Sequence, residues 1–417
     1  MKRLRRSSLL LAALLAACRH PQASGPIRQE AYVWQRSWNP AVRTAVAEAS
    51  GISGFVVLAA EVDLRSRAPR VVRVPLDGSL RALGKPVGAA LRVSTFPSRF
   101  AEEPGYVRLL QGLTRDVAAE ARAKRISLSE IQIDYDCPES KLDDYRGLLP
   151  GLRKAAAPVP VTFTALPSWM GQRRAFSRLI GAADGYVLQV HSLKAPADAK
   201  SEFHLIRPGE TLERVERAAR FGRRFRVALP TYSYVAAFDP RGKLLGLSAE
   251  GPLLSWPAGV RLRTVRSDPA DLAELVRAWT RERPRELSGI LWYRLPVAGD
   301  RMNWSAPAFQ AVMAGRTPHG MVQAAVREPE PGLVEIDLIN PGDGEAAAPP
   351  SIWIGWKGEA FLAADGLAGY RAAPESNGLR LQGTGSARLR PGDRRMVAWL
   401  RFATRTEVHV ELSRQAG

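Results

Sequence analysis

The sequence is poor in the residues that build metal centres and disulfide frameworks. It contains two Cys and five His among 417 residues. The His, at positions 20, 191, 204, 319 and 409, form no short-spaced ligand pair, and neither Cys belongs to a Cys-x-x-Cys motif, so we predict no zinc site. The motifs Gly-x-Ser-x-Gly and Gly-x-x-x-x-Gly-Lys are also missing, which argues against the commonest serine hydrolases and nucleotide-binding proteins. We therefore expect neither a metal nor a cofactor.

Clustered charge is missing as well. The chain has a formal net charge of +19, and only nine of its 60 basic residues are Lys. Beyond the first six positions, no run of Lys or Arg exceeds two residues, whereas nucleic-acid-binding arms usually concentrate their charge. We therefore predict no nucleic-acid partner. With 46% apolar and 24% charged residues, the chain is too apolar to be disordered.

The N-terminal apolar run, residues 9–17, is too short to span a bilayer as a helix. It follows four basic residues within the first six positions, an order that is typical of a secretory signal peptide. The run ends in the sequence Leu-Ala-Ala-Cys at Cys18. This ending resembles the bacterial lipobox, in which a peptidase cuts before the Cys and the Cys is then acylated.

We therefore predict a signal peptide over residues 1–17, lipidation of Cys18 and a polar tether over residues 18–30. Several acyl chains anchor a protein stably where a single chain is marginal, so the predicted partner is a membrane. The predicted location is the outer membrane or the periplasm-facing cell envelope. The alternative is an ordinary signal peptide in which the Cys is incidental. With Cys18 lipidated, Cys137 is the only remaining thiol, and no intrachain disulfide can form.

After the tether, short runs rich in β-branched and aromatic residues alternate with amphipathic stretches. Eight strands are predicted, at residues 31–38, 54–63, 89–94, 130–137, 160–169, 185–192, 225–234 and 287–296. The best-marked helices are predicted at residues 103–125, 142–155, 172–183, 212–220, 268–281 and 306–314. Eightfold alternation predicts an α/β fold, a (β/α)8 TIM-type barrel over residues 31–318. A doubly wound sheet is the alternative, but no Gly-rich phosphate turn follows the first strand. Residues 241–260 break the alternation and indicate an excursion after strand seven.

The pattern changes near residue 321 to short strands without helices. These are predicted at residues 334–340, 351–356, 378–382, 395–402 and 407–412, with Pro-Gly and Asn-Gly turns between them. Such a pattern favours a small β-sandwich domain over residues 321–417.

The fourth predicted strand carries the sharpest chemical signal. Side chains alternate between the two faces of a strand, so Gln132, Asp134 and Asp136 share one face. In a barrel, this face points inward, and the site lies at the carboxyl ends of the strands. Two carboxylates on one face repel each other, so one of them keeps its proton to higher pH, which suits a general acid beside an anionic stabiliser. The alternative is a structural ion network in which Arg36 or Arg294 neutralises the pair.

Residues 132–138 (QIDYDCP) resemble the strand-four motif Asp-x-Asp-x-Glu of the family-eighteen, chitinase-like glycoside hydrolases. The resemblance implies that Asp136 is the acid that protonates the leaving oxygen. It also implies that Asp134 steadies the acetamido group of the substrate, and that Gln132 supports the pair. The sequence departs from the motif twice: Asp136 is one methylene shorter than Glu, and Gln132 is not an acid.

A broader resemblance covers most of residues 30–340. Residues 32–38 (YVWQRSW), 131–136 (IQIDYD), 164–169 (TALPSW) and 187–191 (VLQVH) resemble an uncharacterised family of bacterial lipoproteins known as domain of unknown function 3142. The resemblance implies a glycosidase-type barrel with no assigned substrate.

The ends of the other predicted strands supply side chains that suit a sugar cleft. Aromatic planes stack on the C–H faces of sugars, and polar tips reach hydroxyls. The candidate substrate-binding residues are Gln132, Trp38, Trp169, Gln189, His191, Tyr232 and Trp292. Ordinary core packing is the alternative for each aromatic residue, and a hydrogen-bonded core imidazole for His191. Glu61 and Asp63, which close strand two, are the next candidate carboxylates.

These observations predict a lipid-anchored, extracytoplasmic carbohydrate-active protein with a glycoside-hydrolase-like barrel and a polysaccharide or other glycan as substrate. The catalytic candidates are Asp136 and Asp134. The alternative is a glycan-binding or scaffold lipoprotein of the envelope that has the same barrel but no catalytic activity.

Overall fold

The computed structural model describes residues 22–64, 68–94, 104–191, 198, 201, 203–248, 256–358, 360–384 and 387–413. The predicted signal peptide, the lipidation site at Cys18 and the first part of the tether lie outside these residues. The chain divides into two compact units, with the division between Trp304 and Ser305. Within the described residues, no helix combines the length and the apolar character needed to cross a bilayer.

The first unit is built on eight parallel strands. They are β1 (Gln29–Val33), β2 (Phe55–Asp63), β3 (Val87–Val93), β4 (Leu128–Tyr135), β5 (Val161–Ala165), β6 (Gly185–Gln189), β7 (Phe225–Pro230) and β8 (Leu287–Tyr293). Each strand pairs with the next one in this order. Because β8 also pairs with β1, the sheet closes on itself. The predicted (β/α)8 barrel is confirmed.

Helices connect most of these strands. They are α1 (Pro40–Glu48), α2 (Pro104–Ala123), α3 (Leu142–Ala156), α4 (Arg173–Ala182), α5 (Pro208–Ala219) and α6 (Pro269–Arg281). Local sequence sets their starts: Asp268 accepts a hydrogen bond from the amide of Ala270, and Pro269 occupies the first turn of α6. Short 3-10 helices cover Gly78–Ala82, Glu139–Lys141 and Pro167–Gly171. In the described part of the β2–β3 connection, the antiparallel strand Arg70–Arg73 and a 3-10 helix stand where an α-helix would be expected.

The predicted excursion after strand seven is a small antiparallel sheet. Its strands are Ser233–Phe238, Leu244–Ser248 and Arg261–Arg266, with the first in the middle. The turn between the first two includes Gly242 at φ 86°, a left-handed conformation that favours glycine. A second short pairing joins Gln22–Ala23 to Arg283–Pro284.

The lower part of the barrel interior holds a buried ion cluster. Arg226 Nη1 lies 2.5 Å from Glu30 Oε2, and its Nη2 lies 2.6 Å from Glu130 Oε2. Both carboxylate side chains are 7% exposed. Thr162 also donates its hydroxyl to Glu130. A Cβ atom on Gly88 would lie 2.7 Å from Cγ of Glu130, so glycine at that position leaves the space that the Glu130 side chain occupies.

The second unit begins at Ser305 and its first element is helix α7 (Ala306–Met313), whereas the predicted barrel segment extends to residue 318. Its strands are β9 (Gln323–Glu330), β10 (Leu333–Ile339), β11 (Ala346–Ala347), β12 (Ser351–Trp356), β13 (Phe361–Gly366), β14 (Tyr370–Glu375), β15 (Gly378–Gly383), β16 (Arg388–Leu389), β17 (Arg394–Phe402) and β18 (Val408–Leu412). They form two four-stranded antiparallel sheets, ordered β9-β10-β17-β13 and β14-β15-β12-β18, and the short pair β11–β16. One buried apolar cluster receives side chains from both sheets, as the predicted sandwich requires.

Candidate active site

Strand β4 presents its alternate side chains to opposite sides of the barrel wall, as the sequence pattern predicted. On the outer side, the ring of Tyr135 packs edge-on against Tyr145 of α3, at 5.2 Å between centroids. On the inner side lie Gln132 and Asp134, which are 0% and 3% exposed. Asp136 follows the last residue of the strand and lies at the carboxyl end of the barrel, where the polar side chains of neighbouring strands meet.

Asp134 is buried and fully engaged in polar contacts. Arg92 Nη1 lies 2.6 Å from Oδ2 of Asp134. The other carboxylate oxygen, Oδ1, accepts hydrogen bonds from Thr164 Oγ1 at 2.8 Å and Gln189 Nε2 at 3.1 Å. The charge of this buried carboxylate is therefore compensated by partners from β3, β5 and β6.

Asp136 shares the same arginine but remains open to solvent. Arg92 Nη2 lies 3.0 Å from Asp136 Oδ2, and the Asp136 side chain is 43% exposed. Desolvation by the surrounding protein raises the pKa of Asp136 above its ordinary value, and the neighbouring charge of Asp134 raises it further. The guanidinium of Arg92 acts in the opposite direction on this pKa. The site thus pairs a carboxyl that retains its proton more strongly than usual with a buried neighbour.

A pocket of about 250 Å³ lies above the two carboxylates. Its lining consists of Tyr32, Trp34, Glu61, Arg92, Asp134, Asp136, Gln189, His191, Ala228, Tyr232 and Tyr293. These residues come from seven of the eight barrel strands, all except β5, and from the segments that follow β1, β4, β6 and β7. The predicted site residues that line it are Asp134, Asp136, Gln189, His191 and Tyr232.

One wall of the pocket is a cluster of aromatic rings around Tyr293. Its ring lies 5.6 Å from Tyr32, 5.2 Å from Trp34 and 5.5 Å from Tyr232, each contact being edge-to-face. The imidazole of His191 stacks on the same ring at 5.9 Å. Interlocked rings have few alternative rotamers, so this wall is held in place by its own packing.

The His191 side chain, which is part of this wall, is a neutral imidazole. Burial lowers the pKa of His191 to about 4, and a hydrogen bond with the backbone of Ala228 opposes that shift only in part. Of the charged groups, Asp134 raises this pKa and Arg92 lowers it. Nδ1 of the ring is buried and has no hydrogen-bond partner within the described residues. At neutral pH, His191 is therefore suited to accept a hydrogen bond and not to carry charge.

Acidification is expected to destabilise the fold partly through His191. Between pH 6.5 and about 4, the unfolded chain binds a proton at this position that the folded chain does not bind, so the free energy of unfolding falls as the pH falls. We predict that His191→Gln loses less stability than the wild type between pH 7 and pH 4.5 in urea unfolding. His319→Gln, at an exposed position, is the matched control and should retain the wild-type pH dependence. Equal pH dependence in all three proteins would contradict the assignment.

Two of the predicted substrate-binding residues, Trp169 and Trp292, are buried on the outer side of the barrel wall and do not line the pocket. The structure therefore corrects both assignments. Trp169 is 0% exposed, and its Nε1 donates to the carbonyl of Cys137 at 2.9 Å. Trp292 is 0% exposed, and its Nε1 donates to Gln29 Oε1 at 3.0 Å. In β8, the neighbours of Trp292 belong to the interior cluster, so alternation turns the indole of Trp292 outward. For both indoles, core packing is the correct interpretation.

Two further predicted residues lie near the pocket without lining it. Trp38 is half-buried and packs against the interior apolar cluster. Gln132 is completely buried below Asp134, where Tyr32 donates its hydroxyl to Oε1 at 2.5 Å. Gln132 therefore supports the floor of the site, which matches its expected supporting position more closely than direct substrate binding.

The arginine that binds both aspartates was not among the residues predicted from the sequence. Arg36 and Arg294 were the candidate partners of the aspartates, but Arg36 pairs with Glu61 and Arg294 pairs with Asp300. The partner of both aspartates is Arg92, on the strand beside β4. Its inward position could have been found from the alternation within β3, because Arg92 lies opposite Asp134 in the strand register. Thr164 was missed in the same way.

A larger groove of about 660 Å³ adjoins the pocket and shares Glu61, Arg92 and Asp136 with it. Asp63 lines this groove and accepts a hydrogen bond from Ser94 Oγ at 3.1 Å. Glu61 is held by Arg36 at 2.5 Å. Both carboxylates of strand two therefore lie beside the site, and an extended ligand bound at Asp136 could continue into this groove.

Comparisons with protein families locate two matches in the chain. Residues 102–298 match the family described as "Domain of unknown function (DUF3142)", which confirms the resemblance noted in the sequence. Residues 323–403, in the second unit, match "Domain of unknown function (DUF8456)". None of the curated proteins matches the sequence.

Several solved structures resemble the chain in fold. The spore cortex-lytic enzyme SleL of Bacillus megaterium has 11% identity and a TM-score of 0.47, over 71% of this chain and 75% of that one. A chitinase from Chromobacterium violaceum has 15% identity and a TM-score of 0.47, over 69% and 98%. Chitinase ChiA74 from Bacillus thuringiensis has 8% identity and a TM-score of 0.46, over 92% and 100%. At these identities, the similarity is one of fold alone.

Proposed function

We propose that this protein, whose barrel carries the DUF3142 match, is a carbohydrate-active lipoprotein in which Asp136 and Asp134 act on a glycan bound in the barrel pocket. The observation that carries the proposal is the contrast between the two carboxylates. Asp134 is buried and bound by Arg92, Thr164 and Gln189, whereas Asp136 is 43% exposed at the pocket and has a raised pKa. Such a contrast assigns one carboxyl to proton donation and the other to charge stabilisation.

In the proposed reaction, Asp136 donates its proton to the oxygen of the glycosidic bond. The bond between that oxygen and the anomeric carbon breaks, and the electron pair remains with the oxygen, which leaves as a hydroxyl. Positive charge then develops at the sugar, where the carboxylate of Asp134 stabilises it, directly or through an acetamido group of the substrate. Water adds to the anomeric carbon and returns a proton to Asp136, so the sum of the steps is hydrolysis.

The pocket walls suit a sugar as ligand. The edges and faces of Trp34, Tyr232 and Tyr293 supply apolar area for C–H groups. Gln189 and His191 place polar atoms at the same pocket, where hydroxyl or amide groups of a sugar can pair with them.

The proposed location depends on the N-terminal sequence. The basic residues, the apolar run over residues 9–17 and Cys18 together favour export and lipidation. Lipid at Cys18 would hold the barrel at the membrane surface of the cell envelope, where polysaccharide is abundant.

A second function, glycan binding without turnover, is favoured by two specific observations. Arg92 binds both aspartates, which opposes protonation of Asp136. The side chain of Asp136 is also one methylene shorter than the Glu of the related glycosidase motif, so its carboxyl reaches less far into the pocket.

The two functions are separated by a substrate panel. Chitin, cellulose, xylan, peptidoglycan and N-acetylated oligosaccharides are incubated with the wild type, with Asp136→Asn and with Asp116→Asn, an exposed aspartate on α2. Mass spectrometry detects new reducing ends, and sedimentation measures binding. Hydrolysis that Asp136→Asn abolishes and Asp116→Asn retains supports the enzyme. Binding without hydrolysis supports the second function, and neither binding nor hydrolysis of any sugar would reject both.

A further inference from the structure

We propose that the second unit carries a glycan-binding platform on the outer face of the sheet β14-β15-β12-β18, centred on Trp353. The side chains of Ile352 and Ile354 point into the sandwich core, so alternation directs Trp353 outward. Its indole is half-buried. The indole is therefore not part of the sandwich core and covers the outer surface of its own sheet.

The indole reaches along its own strand to Gly355. A Cβ atom on Gly355 would stand 2.2 Å from Cη2 of Trp353, and 2.8 and 2.9 Å from its Cζ3 and Cζ2. The six-membered ring therefore occupies the space that any other residue at position 355 would fill. The tip of the indole therefore lies over Gly355, on the outer surface of the sheet.

Hydrogen-bonding side chains surround the ring. In the register of the sheet, Trp353 stands between Arg380 on β15 and Glu411 on β18. Arg380 pairs with Glu375 through contacts of 2.5 and 3.1 Å. Glu411 lies 3.2 Å from Nε2 of His409, whose ring is 6.4 Å from the indole. A flat aromatic plane within a rim of donors and acceptors is the arrangement that binds the C–H face of a sugar and its peripheral hydroxyls.

The charges on this face indicate which class of ligand it can bind. The outward side chains of this face carry two cations, Arg371 and Arg380, and two anions, Glu375 and Glu411. The face therefore has little net field for a polyanion such as a nucleic acid, which needs a continuous basic surface. One indole among polar side chains also offers too little apolar area for a stable protein interface or for insertion into a membrane. We infer that the occupant is an uncharged stretch of polysaccharide.

The test measures sedimentation of the full chain with insoluble chitin and cellulose. Trp353→Ala is expected to weaken binding about tenfold, the loss of one stacking contact, whereas Trp353→Phe keeps part of the affinity. Gly355→Ala is expected to weaken binding comparably although the indole is still present, because the new Cβ displaces the ring. Trp399→Ala, which removes a half-buried indole from β17 on the other sheet, is the matched control and should bind as the wild type does.

The choice of polysaccharide as probe rests on the proposed function, and the two can fail separately. If binding depends on Trp353 but the protein hydrolyses no glycan, the result supports the platform and rejects the proposed enzymatic function. Equal binding by the wild type and Trp353→Ala, with both proteins folded by circular dichroism, would overturn the platform even if the barrel hydrolyses soluble oligosaccharides. Absence of binding to either polysaccharide by the wild type would overturn it as well.

Discussion

Replacing Asp136 with Asn is expected to lower kcat on the hydrolysed glycan by about a thousandfold while changing KM little. A positioned general acid contributes roughly 10²–10⁴-fold to a rate, and the amide of Asn cannot donate the proton that the leaving oxygen needs. Asn has nearly the same shape as Asp and can still accept from Arg92 Nη2, which lies 3.0 Å away in the wild type. Binding of the glycan should therefore persist.

Two further variants make this expectation specific. Asp136→Glu keeps the carboxyl and adds the methylene found in the glycosidase motif that residues 132–138 resemble, so we expect it to retain far more activity than Asp136→Asn. Asp116→Asn, on the exposed side of α2, should behave as the wild type. Steady-state hydrolysis by the three variants, with each fold checked by circular dichroism, measures the effect. Undiminished kcat in Asp136→Asn would remove Asp136 from the mechanism.

The pH profile of the wild type provides an independent check of the same role. In the proposed mechanism the acid form of Asp136 is the active one, so kcat/KM should fall as the pH rises through the raised pKa of this group. Burial and Asp134 shift that limb to higher pH than an exposed aspartate would show. In Asp136→Glu the alkaline limb should remain, at a changed position. Residual activity in Asp136→Asn should lack that limb.

The largest effect on stability is expected for Arg226→Met, at the lower end of the barrel. The substitution leaves buried Glu130 without its arginine and leaves buried Glu30 with only Arg28, whose side chain is half exposed. Breaking a buried ion pair from one side typically costs about 3–5 kcal/mol, which is a large fraction of the roughly 5–15 kcal/mol that stabilises a folded protein. Urea unfolding of the full chain measures the loss.

Two controls for Arg226→Met separate the effect of burial on stability from the effect of charge. Arg178→Met removes an arginine from an ion pair with Asp143 in which both side chains are about half exposed, and such pairs contribute about 0–1 kcal/mol. The triple variant Glu30→Gln, Glu130→Gln and Arg226→Met has no buried charge in the cluster. It should therefore recover much of the lost stability. If Arg226→Met and Arg178→Met destabilise the protein equally, the buried cluster does not have the importance assigned to it.

The predictions that succeeded depended on short-range periodicity. Eight strands of alternating or continuous apolar character, with amphipathic stretches between them, suffice to predict the barrel, and the predicted helices 142–155 and 268–281 agree closely with α3 and α6. The alternation in β4 likewise places Asp134 inside the barrel. These features are visible in sequence because each depends only on neighbours a few residues away.

The predictions that failed concerned side chains whose surroundings come from distant parts of the chain. Trp169 follows β5 within a 3-10 helix and turns beneath α3 and α4, where it meets Tyr145 and Phe176. Nothing in the local sequence distinguishes it from an indole at the rim of the barrel. Arg92 was missed because its importance comes from the adjacent strand, 42 residues later.

Strand periodicity and composition thus sufficed for the fold class, for the division into a barrel followed by a sandwich, and for the strand that carries the carboxylates. The register of neighbouring strands and the closure of the barrel decided which residues meet at that strand: Arg92 from β3, Thr164 from β5, Gln189 from β6 and the aromatic wall around Tyr293. The physical reason is that a parallel strand receives its polar partners across the sheet, from segments tens of residues away. Pattern determines the face on which a side chain lies, whereas register and closure determine which side chain it meets.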